Sequence, residues 1–134
     1  MKTRPMLTLE DCKKISAASE AEAKKNNWNV CIAILDDGGH LLHLARMDGA
    51  TPANSRIAVE KGRTAAESRR STAMWEERIK AGRHAMLGMP GITPVQGGLP
   101  IVVDGVCVGA VGVSGVQSHE DEQIAKAGID TLKT

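Results

Sequence analysis

The side chains with chemical capacity in this chain are four histidines, an Asp36-Asp37 pair, an Arg46/Asp48 pair and a lysine, Lys61, set among small residues. His40 and His43 stand three residues apart in an apolar run that reads as a strand. Strand side chains alternate between faces, so these two imidazoles cannot hold one ion together unless a bulge intervenes. His84 lies near the loop Gly88-Met89-Pro90-Gly91, and His119 falls in the first turn of a predicted helix. Each of the four also reads as an ordinary structural or solvated residue, and no metal site is predicted. Asp36-Asp37 can act as paired carboxylates in acid–base work, or can simply open the turn at Gly38-Gly39. Arg46 and Asp48 either line a pocket at the sheet end or form a surface ion pair of little weight. Lys61, if buried, can serve as a base or Schiff-base former; the plain alternative is a snorkelling surface lysine.

Several signatures are missing. Gly109-Ala110-Val111-Gly112-Val113-Ser114-Gly115 is not a dinucleotide fingerprint, and Gly62-Arg63-Thr64 lacks the rest of a P-loop. Ser114 sits in Gly-Val-Ser-Gly-Val, which lacks the last glycine of a nucleophile elbow.

These residues need a scaffold, and the pattern supplies one. Thr8 with Asp11 forms a capping box, opening a helix to about Lys25 with Leu9, Cys12, Ile15, Ser16, Ser19 and Ala23 on one face. Trp28 to Leu35 is apolar on both faces, as a strand in mid-sheet must be. His40 to Met47 returns beside it. Thr51-Pro52 opens a helix through about Arg69, and Ser71-Thr72 caps a shorter one to about Ala81. Residues 82–93 form a loop. Asp104-Gly105 joins two apolar runs, the strongest short hairpin signal. Glycines in the second run mark a close approach by a ligand or another backbone. Ser118 with Asp121 suggests a last capping box, and an anion can sit at that helix start. Hairpin connections imply a mainly antiparallel sheet of the α+β class, with helices on both faces.

At 134 residues the chain makes one domain, 1–134, with a core of its own. A net charge of +1 gives no field that would favour nucleic acid or a membrane surface. Two tryptophans, with no Phe or Tyr, offer too few stacking platforms for single-stranded nucleic acid. Cys12, Cys31 and Cys107 are widely spaced, and an odd count without Cys-x-x-Cys suggests reduced thiols and a cytoplasmic protein. No apolar run approaches a membrane span.

Asp37-Gly38-Gly39-His40-Leu41-Leu42, Arg46-Met47-Asp48-Gly49-Ala50, Ser55-Arg56-Ile57-Ala58, Lys61 with Thr64-Ala65-Ala66, Gly97-Gly98-Leu99-Pro100-Ile101 and Gly109–Gly115 resemble, in order and spacing, the GlcG/HbpS family. That family includes the C-terminal domain of PduO-type corrinoid adenosyltransferases. The resemblance implies a profilin-like fold, three layers α/β/α around a five-stranded antiparallel sheet, assembled as dimers or larger homo-oligomers. It also implies a small-molecule ligand, with heme or another tetrapyrrole the foremost candidate, and an accessory place in diol, glycerol or glycolate metabolism. Heme would draw its axial donor from His40, His43, His84, His119, a methionine or a hydroxyl. The expected ligand-binding residues are Arg46, Asp48, Ser55, Lys61 and Thr64, with backbone donors from Gly97 and Gly98. Two other readings stand beside this one. The first is an enzyme on a small hydroxy- or keto-compound, with Lys61 or a carboxylate as base. The second is a non-enzymatic assembly partner of a metabolic enzyme.

Overall fold

The computed structural model describes residues 1–132. Thr8 and Asp11 exchange hydrogen bonds, the Thr8 amide donating to Asp11 Oδ2 at 2.9 Å and the Asp11 amide to Thr8 Oγ1 at 3.1 Å. This box starts helix α1, Leu9–Lys25. Its buried stripe is Cys12, Ile15, Ser16, Ser19 and Ala23, whereas Leu9 at the helix start is exposed. Strands β1, Cys31–Asp36, and β2, Leu41–Arg46, form the first hairpin. Helices α2, Pro52–Ser68, and α3, Thr72–Lys80, follow, then a 3-10 turn at His84–Gly88. Strands β3, Gly98–Val103, and β4, Val106–Ser114, form the second hairpin, and α4, Ser118–Ile129, closes the chain. Asp104 and Gly105 have φ of 51° and 77°, the left-handed pair that a two-residue turn between twisted strands requires.

The two hairpins join through β1 and β4 into one antiparallel sheet of order β2-β1-β4-β3. Among the described residues the sheet has four strands, so the five expected from the resemblance are corrected to four. Residues 1–8 carry no regular element, and 89–97 run through bends and turns around Pro90 and Pro94.

β1 is covered on both sides, as its composition required. Ile32 and Ile34 meet Cys12, Ile15, Ile124 and Ala125 of α1 and α4, together with Val111 and Val113 of β4. Cys31, Ala33 and Leu35 point to the other face, against Ala58 of α2. Helix α2 lies almost in backbone contact with the sheet. A Cβ on Gly112 would come within 2.0 Å of Ala58 O, and one on Gly98 within 2.3 Å of Lys61 O. Gly98 and Gly112 of the second hairpin therefore seat the chain's own helix, while Gly109 lets β4 lie close to Leu35 O of β1. Among the described residues no helix is long and apolar enough to cross a membrane.

Candidate functional site

Lys61 is buried, 2% exposed, and its side chain runs from α2 past Gly97 at the head of β3. A Cβ on Gly97 would meet Lys61 Nζ at 2.7 Å. The ammonium donates to Val113 O and to Asp121 Oδ2 of α4, each at 3.0 Å. Asp121 is equally enclosed, and its Oδ1 accepts the Val116 amide at 3.1 Å. Burial pushes the Asp121 carboxyl above its ordinary range, against the opposing pull of the Lys61 ammonium. Helix α4 is capped one residue earlier than its sequence suggests, the Gln117 amide donating to Glu120 Oε1 at 3.1 Å. Asp121 is thereby free to face inward. Its role could have been inferred from Lys61 itself, since a lysine buried among small residues requires a buried acid.

Thr64 and Gly98 belong to the same inner seam. Thr64 Oγ1 donates to Glu60 O and accepts the Thr93 amide, both at 2.9 Å. The Gly98 amide donates to Thr72 Oγ1 at 2.9 Å. Thr72, expected from the sequence to cap α3, is a residue of this seam. Ser55, half-buried in the first turn of α2, lies 3.7 Å from Cys31 Sγ.

Arg46 and Asp48 lie elsewhere. β2 and β3 are opposite edges of the sheet, three strand spacings or roughly 14 Å apart. Arg46 is exposed, and its Nε donates to Ala50 O at 3.2 Å. With Asp48, Lys24 and Glu20 it lines a shallow cleft of about 270 Å³. The structure thus brings Lys61, Thr64, Gly97 and Gly98 to one seam and sets Arg46 and Asp48 in a cleft of their own.

The histidines are dispersed. His40, 82% exposed, lies with Nδ1 3.3 Å from Asp36 Oδ1. His84 is exposed in the 3-10 turn, and His119 edges a polar cleft with Glu122 and Lys126. His43 is half-buried on β2, and its Nδ1 is shielded from solvent with no hydrogen-bond partner. The β1–β2 register slips between Ile34 and Leu35, which face His43 and Leu41, so Leu42 is an extra bulge residue. A bulge re-aims the side chains around it, and this one suspends the simple alternation argument for His40 and His43. Among the described residues no group of three or more His, Cys, Asp or Glu side chains could hold a metal ion.

The donor chemistry can be tested against heme. Imidazole is an ordinary axial ligand, and His43 offers a ring nitrogen without a partner in a strand whose Leu41, Leu42 and Leu44 are 48%, 39% and 39% exposed. His43 is thus a donor of the right kind on a strand with exposed leucines, and its Nδ1, shielded from solvent, reaches an iron only when the ring turns. The apolar groove between Pro5–Leu7 and Val103/Val108, about 180 Å³, is smaller than the usual several-hundred-Å³ ligand pocket.

The family model described as "Haem degrading protein HbpS-like" matches residues 7–130. Protein GlcG of Escherichia coli is 51% identical over 114 residues, 85% of each chain. A double mutant of HbpS from Streptomyces reticuli superposes with a TM-score of 0.91 at 31% identity, over 100% of this chain and 92% of that one. A PduOC:heme complex superposes with a TM-score of 0.87 at 22% identity, over 96% of each chain, a likeness of fold. Model and relatives agree along nearly the whole length, and the chain belongs to the HbpS-like family.

Proposed function

We propose that this chain is a cytoplasmic binding protein for heme or a kindred tetrapyrrole, accessory to diol, glycerol or glycolate metabolism. The observation that carries the reading is His43, with its partnerless Nδ1, on an edge strand lined by exposed leucines. Arg46 ends the same strand, exposed, its Nε donating to Ala50 O, and so suits the carboxylates of such a ligand. Membership over residues 7–130 in a family described as haem degrading supports the same ligand class. Three free cysteines, two of them buried, suit a reducing compartment. The enzymatic alternative places a base at Lys61. A general base must come within hydrogen-bond reach of its substrate, and Lys61 is enclosed with Asp121 and Val113 O.

Hemin titration followed in the Soret region tests the reading. The wild type should bind saturably at micromolar hemin. His43→Ala should bind at least about tenfold more weakly, roughly 1.4 kcal/mol, while His119→Ala matches the wild type. No Soret shift in the wild type, or undiminished binding by His43→Ala, overturns it.

A further inference from the structure

The Lys61 seam has a cover whose fastening differs from the rest of the sheet. A bonded antiparallel pair exchanges two hydrogen bonds. One step beyond Gly98 and Gly112, the last pair of β3 and β4, the Val113 amide donates to Gly97 O at 3.0 Å. The bond to Val113 O comes from Lys61 Nζ instead of the Gly97 amide. The ammonium thus stands in the ladder where a strand residue belongs. Gly97 lies against it, because a Cβ there would meet Nζ at 2.7 Å and Cδ at 3.0 Å.

Residues 91–97, which lead up to this point, are latched by side chains. Thr64 Oγ1 of α2 accepts the Thr93 amide at 2.9 Å, and Glu76 Oε1 of α3 accepts the Gln96 amide at 3.2 Å. No residue from 91 to 97 belongs to the hydrophobic core, and Val95 is exposed. Both ends are glycines at positive φ, 70° at Gly91 and 136° at Gly97. The Gly98 amide, fixed to Thr72 Oγ1 at 2.9 Å, marks where the segment joins the firm sheet. A segment with few apolar contacts opens at a lower free energy than the whole fold, and residues at element ends absorb the dihedral change.

We infer that residues 91–97 form a lid over Lys61, which opens as a unit about Gly91 and Gly97 while the rest of the fold stays closed. Opening frees Gly97 O from the Val113 amide and bares the Lys61–Asp121 pair to small polar molecules. The lid leads into β3, at the opposite edge of the sheet from His43 on β2, and it stands apart from the heme reading.

Amide hydrogen exchange at Val113 reads the lid, because this fully buried strand residue donates to Gly97 O. Where exchange follows the opening equilibrium, the Thr93, Gln96 and Val113 amides should exchange together. They should do so at least about tenfold faster than Val111 on the same strand, and with a weaker dependence on urea. Glu76→Ala removes the acceptor of the Gln96 amide and should speed all three about fivefold, the worth of roughly one hydrogen bond, while Val111 changes less. Thr64→Val, which removes the other latch, should do the same. Acetylation by sulfosuccinimidyl acetate, mapped by mass spectrometry, gives a second readout. Lys61 should be labelled in the folded protein, and faster in Glu76→Ala, with exposed Lys126 as the internal reference. Exchange of Val113 in step with Val111, or labelling of Lys61 only in step with global unfolding, overturns the inference. So does a folded Glu76→Ala protein that leaves the three amide rates unchanged.

Discussion

A lysine ammonium removed from water needs both an opposite charge and further hydrogen-bond acceptors, and Lys61 has them in Asp121 and Val113 O. Breaking such a pair from one side leaves an uncompensated charge inside, typically at a cost of about 3–5 kcal/mol; replacing both partners by apolar groups is often close to neutral. Asp121→Ala should therefore lower the unfolding free energy by roughly 3–5 kcal/mol in urea titration. Lys61→Met combined with Asp121→Leu should recover most of that loss. Additive losses in the double variant would refute the pairing as the source. The lysine was visible in the sequence as a charge in a run of small residues, but its partner lies 60 positions away. Nothing local separates Asp121 from a capping acid. His43 was a candidate among four, and only the bulge at Leu42, a matter of register, distinguishes its setting.

At the level of elements, the second hairpin and α2 are fitted to one another by absence of side chain. Gly112 faces Ala58 O and the Gly62 amide nitrogen, where a Cβ would come within 2.0 and 2.5 Å. Backbone on both sides leaves nothing flexible to yield. Gly112→Ala should lift α2 from β4 and destabilise the fold by more than the roughly 1–3 kcal/mol typical of overpacking, read as a fall in the urea midpoint. A midpoint equal to wild type would mean the helix is free to shift. The elements were legible because their signals are local: the Thr8 box, Pro52 opening α2, the Asp104-Gly105 turn. The identity of the partner at each glycine was not. A glycine in a strand announces a close neighbour, and ligand, subunit and helix leave the same mark. The number of strands follows from the resemblance alone, and the sheet has four among the described residues.

For the whole molecule, the carboxylates set the response to acid. Hydrogen bonding to Thr8 holds Asp11 below its ordinary value. Burial raises Asp36, but the His40 and Gly38 amides outweigh it and leave a net lowering. Each binds fewer protons folded than unfolded, so each adds stability above the ordinary Asp value of about 4 and loses it as pH falls through the lowered one. Asp121 has the opposite sign: its raised folded value means that stability declines as pH rises from the unfolded to the folded value. Asp11→Asn should therefore be less stable than wild type near pH 6, by about 0.5–1 kcal/mol. The two should converge as pH falls through the lowered value, where both side chains are neutral. A gap independent of pH would show that the charge of Asp11 is not what steadies α1.

The sheet order also governs when the molecule can exist. β1 finds β2 at once, but its other neighbour, β4, begins some 70 residues later at Val106, and the cover for Ile32 and Ile34 is completed by Ile124 and Ala125. A chain emerging from the ribosome N-terminus first therefore carries its central strand with one flank unpaired until its last two elements are made. The central strand can first be paired and covered on both sides once β4 and α4 have emerged.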